Sequence, residues 1–195
     1  MSSSQPNPNS FRAVWRENGG NILVAFLLLI LAGGTALLAY NQLRFVPPKF
    51  PSNRSIQQPP PDVGNGVAML AAEGQASMKL QIIGAANANG SVLVAVYGSA
   101  ESFNDPVRAL ISASAPIQDG LAQLVLPVGE FPDRVAIAAY HDENDDGTLN
   151  VNAFGVPVER YGFSNYARGL LGPPTFDEAA ISGPFEGRTL ELVIR

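Results

Sequence analysis

The chain has no cysteine and only one histidine in its 195 residues. Without cysteine there is no disulfide framework, no thiolate zinc site and no cysteine nucleophile. With His141 as the lone imidazole, a polyhistidine metal centre is excluded as well. Charge is sparse, and the formal balance is -5 at pH 7. Nucleic acid needs a basic surface, so it is excluded as a partner. The acidity is local: residues 1–76 hold five Lys/Arg against three Asp/Glu, whereas residues 77–195 hold seven against fourteen. The acidic part is therefore read as the globular domain. No phosphate loop, dinucleotide fingerprint or G-x-S-x-G elbow is found in the chain. What is present, at 46% hydrophobic residues, suffices for one folded core beside a smaller element.

After a polar tail at residues 1–20, the run Ile22–Tyr40 carries no charge over 19 residues. At about 1.5 Å per residue it matches a hydrocarbon core of about 30 Å, which predicts one transmembrane helix over residues 21–40, a signal anchor. A cleaved signal peptide is the rival reading, since Arg12 and Arg16 precede the run and Gly34–Ala36 offers small residues for cleavage. The apolar run continues past that point, and the polar lead is long for a signal peptide, so retention is favoured over secretion. Basic residues flank both sides, Arg12 and Arg16 against Arg44, Lys49 and Arg54, so charge does not set the orientation. The expected placement is a single span with the C-terminal domain outside the cytoplasm, in the periplasm, because cysteine-free domains of short strands are commonly exported.

Residues 41–76, with three consecutive prolines at Pro59–Pro61, lack periodicity and are expected to be an extended linker, with one short helical turn within 66–76. From Met78 the pattern changes to short apolar runs separated by turn residues. Strands are expected at 78–84, 91–97, 107–114, 121–127, 134–140, 178–182 and 189–194. Asn and Gly at 87–90, and Asp119-Gly120, tolerate the positive φ of hairpin turns. No run with helical period interrupts them, which excludes parallel βαβ units. The expected fold of residues 77–195 is all-β: a seven-stranded antiparallel sandwich, immunoglobulin-like or transthyretin-like.

The segment from Ala136 to Ala180 contains His141-Asp142-x-Asn144-x-Asp146-Gly147, Gly155-x-Pro157-x-Glu159, Tyr161-Gly-Phe-Ser-Asn-Tyr166-Ala-Arg168-Gly169 and Gly172-Pro-Pro-x-Phe176. Together with Val92–Phe103 upstream, these resemble an exported bacterial family known only as domain of unknown function 2141. The likeness covers roughly residues 78–195. It implies a β-sandwich in an exported domain and supplies no activity. Tyr166 departs from it, since the family usually has a second asparagine there.

Three chemistries are weighed for the acidic loop. Asp142, Asn144 and Asp146 stand at alternate positions before Gly147, with Thr148 and Asn150 following, as hard oxygen donors in a calcium loop do. Ala153 stands where an EF-hand needs its bidentate glutamate, so the missing carboxylate would have to come from Glu159, or else from Asp177 or Glu178. Calcium bound this way would be held at about 10⁻⁴ to 10⁻³ M. The plainer reading is a solvated turn whose Asp and Asn side chains cap their own backbone. A hydrolase built on Asp142 with Glu159, or on His141 with Ser164, is the weakest of the three. The long segment 152–177 is expected either to plug the fold or to form a binding surface for a protein or glycan partner. The candidates there are Tyr161, Phe163, Asn165, Tyr166 and Phe176, with Arg168 as anion anchor and His141 nearby.

Overall fold

The computed structural model describes residues 8–44, 48–50 and 66–195, apart from 154, 170 and 171. It forms two compact units, Met1–Arg44 and Phe45–Arg195. The first is one helix, α1 (Pro8–Arg44), so the expected polar tail is helical from Pro8. Proline suits that first turn, where its missing N–H would have no partner anyway. Within α1, Asn18–Leu37 has a mean hydropathy of 2.2 and exposes its apolar side chains, which fits a membrane anchor or a signal sequence. Pro59–Pro61 lie outside the described residues.

The second unit is mostly β: β1 (Val67–Met69), β2 (Ser77–Ile83), β3 (Ser91–Tyr97), β4 (Ile111–Gln118), β5 (Leu121–Pro127), β6 (Arg134–Asp142), β7 (Tyr161–Phe163), the one-turn helix α2 (Phe176–Ala179), β8 (Ile181–Ser182) and β9 (Thr189–Val193). The sheet runs β7-β6-β3-β4-β5-β2-β9. Its two ends meet: Tyr161 N–H donates to the Arg195 carbonyl (3.3 Å) and Arg195 N–H to the Tyr161 carbonyl (3.1 Å). Seven strands thus make a nearly closed, barrel-like sheet.

Alternation explains the inner core. Met78, Leu80 and Ile82 of β2, Ala113, Ala115 and Ile117 of β4, and Ala122, Leu124 and Leu126 of β5 point inward at every second residue, as a pleated strand requires. β3 and β6 are buried on both faces. Val92, Val94, Val96, Val135, Ile137 and Ala139 join the inner core, while Leu93, Ala95, Tyr97, Ala136, Ala138 and Tyr140 face a second apolar cluster with Phe163, Phe176 and Ala179. Those two strands therefore read as continuous apolar runs. Segment 161–180 is the layer that covers their outer face.

The pairing departs from an antiparallel sandwich at defined places. β9 lies parallel to β2, and β1 parallel to β5. β2 and β3 do not form a hairpin: β2 pairs with β5 and β9, β3 with β4 and β6. The Asn/Gly stretch between them is a crossover, and Gly90 (φ +65°) sits where a Cβ would strike the Asp142 carbonyl. Asp119-Gly120 does form the expected hairpin, with both residues at positive φ, as a type I′ turn requires. The strand expected at 107–114 lies at 111–118, because Pro106–Arg108 forms a 3-10 turn capped by Asp105. Inside the expected linker, Val67–Met69 is a strand rather than a helical turn, and Phe50 packs on Tyr140 at 4.7 Å between ring centroids.

The phenol oxygens of Tyr97 and Tyr140 are buried and make no hydrogen bond with the described residues. Burial pushes both phenol pKa values up. A buried hydroxyl without a partner is destabilising by about 1–3 kcal/mol, so Tyr140→Phe is expected to raise stability by about 1 kcal/mol. Urea unfolding of the two proteins side by side checks this, and a less stable variant would refute it.

Candidate functional site

The acidic loop begins where β6 ends. Asp142 is buried, and its Oδ1 accepts the Asp146 N–H (3.1 Å) while Oδ2 accepts the Gly147 N–H (2.7 Å). Gly147, at φ +76°, makes the sharp turn that aims both amides back at Asp142. Asp146 Oδ1 accepts from the Thr148 amide (2.8 Å) and hydroxyl (2.6 Å); its Oδ2 accepts from the side-chain amides of Asn144 (2.9 Å) and Asn150 (3.1 Å). Glu159 is also buried and closes the loop from the far side. Its Oε1 accepts the Glu143 N–H (3.1 Å) and its Oε2 the Asn150 N–H (2.7 Å). The two remaining acids have partners too: Glu143 accepts from Asn87 (2.7 Å) and Asp145 from Ser91 (3.1 Å).

The structure thus brings Asp142, Asn144, Asp146, Thr148, Asn150 and Glu159 into one loop. N–H and O–H donors relieve the mutual repulsion that the sequence leaves without a nearby Lys or Arg. Among the described residues no group of three or more His, Asp or Glu side chains converges as a metal cage.

The two aspartates respond oppositely to their surroundings. Burial raises the Asp142 pKa, outweighing the Gly147 and Asp146 amides. Asp146 is held down to about 2, first by the Thr148 hydroxyl and then by Asn144. A depressed carboxylate stabilises the fold fully above its unfolded value near 3.8, and that contribution is lost as pH falls through about 2. Asp142 has the other sign, because its raised pKa favours the folded state as it takes up a proton. Urea unfolding from pH 5 to pH 2 is expected to show an acid loss that Asp146→Asn lessens and Asp142→Asn steepens, with Glu101 and Glu178, also held down, supplying the rest. An unchanged acid limb in Asp146→Asn would refute the assignment.

His141 is wholly buried beside the loop. Its Nδ1 accepts the Ala86 N–H (3.1 Å), so the proton sits on Nε2, which donates to the Asn89 carbonyl (2.7 Å). Both ring nitrogens pin the β2–β3 crossover. Ser164 is equally committed: buried, it accepts the Ile137 N–H (2.8 Å) and donates to the Ala179 carbonyl (2.5 Å), tying the outer layer to β6. Neither group is available as a base or nucleophile.

A second feature lies at the seam where β7 meets the end of β9. A cavity of about 390 Å³ is lined there by Tyr161, Gly162, Phe163, Tyr166, Arg168, Gly169, Gly172 and Arg195, among others. Gly162 makes the seam possible, since a Cβ on it would lie 2.2 Å from the Val193 carbonyl oxygen. Four of the residues expected to form a binding surface therefore meet: Tyr161, Phe163, Tyr166 and Arg168. The other three do not. His141 is inside the loop scaffold, Asn165 donates to the Glu178 carbonyl (2.9 Å), and Phe176 is buried in the outer cluster under Arg134 (5.7 Å). Asp177 pairs with Arg134 at 2.9 Å. Among the described residues neither Arg168 nor Arg195 has an ion-pair partner. Arg195 carried no signal in the sequence, because only closure of the sheet brings it to Tyr161. Helix α2 did carry one, in the Thr175-x-x-Glu178 capping box, whose two reciprocal hydrogen bonds are both made.

The sequence model of a family described as "Uncharacterized protein conserved in bacteria (DUF2141)" matches residues 80–188, more than half of the chain. The chain belongs to this family. The DUF2141 match runs from within β2 to the turn before β9 and includes the acidic loop and most of the residues lining the seam cavity. No curated protein and no solved structure matches the chain.

Proposed function

We propose that this DUF2141 member is a membrane-anchored binding module, displayed outside the cytoplasm, whose cavity at the β7–β9 seam receives a small anion. The observation that carries this reading is that Arg168 and Arg195, which have no ion-pair partner among the described residues, line one cavity of a domain rich in carboxylates. Arginine forks suit a carboxylate or phosphate, and the volume falls within the range of about 300–1,000 Å³ usual for ligand sites. The apolar stretch Asn18–Leu37 supports the anchor. No reaction is proposed, because the groups that could catalyse one hold the scaffold together.

The acidic loop is proposed as a metal-free corner rather than a calcium site. Its support is that every aspartate and glutamate of the loop, and Glu159, already accepts a donor within hydrogen-bond distance. A metal-free structural or interaction domain is the alternative function, and it predicts an idle cavity.

The test uses the full chain in lipid nanodiscs, titrated with acetate and inorganic phosphate while amide shifts are followed by NMR. Saturable shifts at Gly162 and Gly169, abolished in Arg168→Ala, are expected. Shifts that are absent, or equal in the variant, would overturn the reading. Protease accessibility of residues 78–195 in intact spheroplasts checks the placement, and full protection would place the domain in the cytoplasm.

A further inference from the structure

We infer that Tyr166 makes the seam cavity selective for an acidic sugar: a ring that stacks on its phenol face, with an anionic group held by Arg168 and Arg195. The inference rests on the binding reading above and names the ligand class for the same cavity.

The backbone carries the first part. Asn165 (φ +58°) and Tyr166 (φ +53°) are consecutive residues in the left-handed region. Asparagine tolerates that region, and the Asn165 side chain is fixed there by donating to the Glu178 carbonyl in α2 (2.9 Å). A bulky aromatic there is a genuine outlier. Strain of this kind is ordinarily offset by packing, but Tyr166 is 66% exposed and makes no hydrogen bond or ring contact with the described residues. The fold gains little from this ring. What it does is wall the cavity, and strained residues of this kind cluster where a ligand is held.

The lining carries the second part. Tyr161 and Tyr166 bring amphipathic rings that accept the apolar face of a sugar. Gly162, Gly169 and Gly172 line the same cavity between these rings and the arginines. Two exposed arginines with no ion-pair partner among the described residues favour a negatively charged ligand, and their planar forks match carboxylate and phosphate alike. A cavity of about 390 Å³ fits a ligand of one or two rings. A sugar carboxylate and a sugar phosphate share this chemistry.

The experiment is equilibrium titration of the full chain in lipid nanodiscs with glucuronate, glucose 6-phosphate, glucose, acetate and inorganic phosphate. At least one acidic sugar is expected to bind ten-fold or more tightly than acetate and phosphate, with glucose well behind; which of the two wins identifies the anionic group. In Tyr166→Asn that ten-fold advantage over acetate is lost, and the melting temperature is no lower than that of the native chain, since the strain is relieved. Acidic sugars that bind no better than acetate or phosphate would overturn the inference and leave the anion site standing. Failure of acetate and phosphate as well would overturn both. Glucose binding as tightly as glucuronate, or an undiminished preference in Tyr166→Asn, would also sink it.

Discussion

Asp142→Ala is expected to lower the stability of the β domain by about 2–4 kcal/mol, to the same extent in calcium and in EDTA. The substitution leaves the amides of Asp146 and Gly147 without their acceptor, and each such loss is worth about 1–3 kcal/mol. Part of this is returned, because burial of the Asp142 carboxylate is itself unfavourable, as its raised pKa records. Asp142→Asn keeps one carbonyl oxygen and should lose roughly half as much. Calcium distinguishes the two readings of the loop by mass action. A site with a dissociation constant of 10⁻⁴ to 10⁻³ M would stabilise the native chain by about 1.4–2.7 kcal/mol at 10 mM calcium, and the variant would forfeit that increment. A self-capped corner shows no such gap. Denaturant unfolding of both proteins, each with calcium and with EDTA, reads the difference directly; a native chain that is measurably more stable in calcium would restore the metal loop.

Gly162→Ala is expected to be as damaging, by about 2–4 kcal/mol, and to abolish anion binding in the seam cavity. The added Cβ would lie 2.2 Å from the Val193 carbonyl oxygen, 3.0 Å from its carbon and 3.2 Å from the Ile194 Cα. All three are backbone atoms, so no rotamer change makes room. Either the end of β9 moves away and the paired Tyr161–Arg195 hydrogen bonds break, or the overlap stays at the usual penalty of about 1–3 kcal/mol for overpacking. Gly129→Ala is the control, since its added Cβ meets nothing within 4 Å and should change stability by less than about 0.5 kcal/mol. Equal stability of the two variants would show that the seam is not closed as described.

The parts of this fold that sequence reading reaches are those written in neighbouring residues. The strands at 91–97 and 121–127 stand where alternation and apolar runs put them, and Asp119-Gly120 turns as its chemistry requires. Asp142, Asn144, Asp146, Thr148, Asn150 and Glu159, which the motif singles out as oxygen donors, lie in one hydrogen-bonded loop. What stayed hidden depends on residues far apart in the chain. Asn and Gly at 87–90 tolerate positive φ in a crossover as well as in a hairpin, so the turn signal could not say which strands pair. The parallel placement of β9 on β2 left no local trace. The double burial of β3 and β6 was visible as unbroken apolar runs, but not what covered them. Phe50 and Val67–Met69 sit in a segment whose composition reads as spacer, and only their docking reveals them as parts of the domain. At the cavity, the aromatic residues and Arg168 were legible as a cluster, whereas Arg195 and the role of Gly162 needed the closed sheet.

The closure of that sheet also bears on how copies of the domain behave when crowded together, since strands with unpaired amides would zip together across copies. Here the ends of the sheet satisfy each other through Tyr161 and Arg195. β1 takes the stretch of β5 that β4 leaves after only two residue pairs, and β8 takes the start of β6 beyond the reach of β7. Short strands of two or three residues thus work as selvedge on the weave, and a dense population of these domains can stay separate.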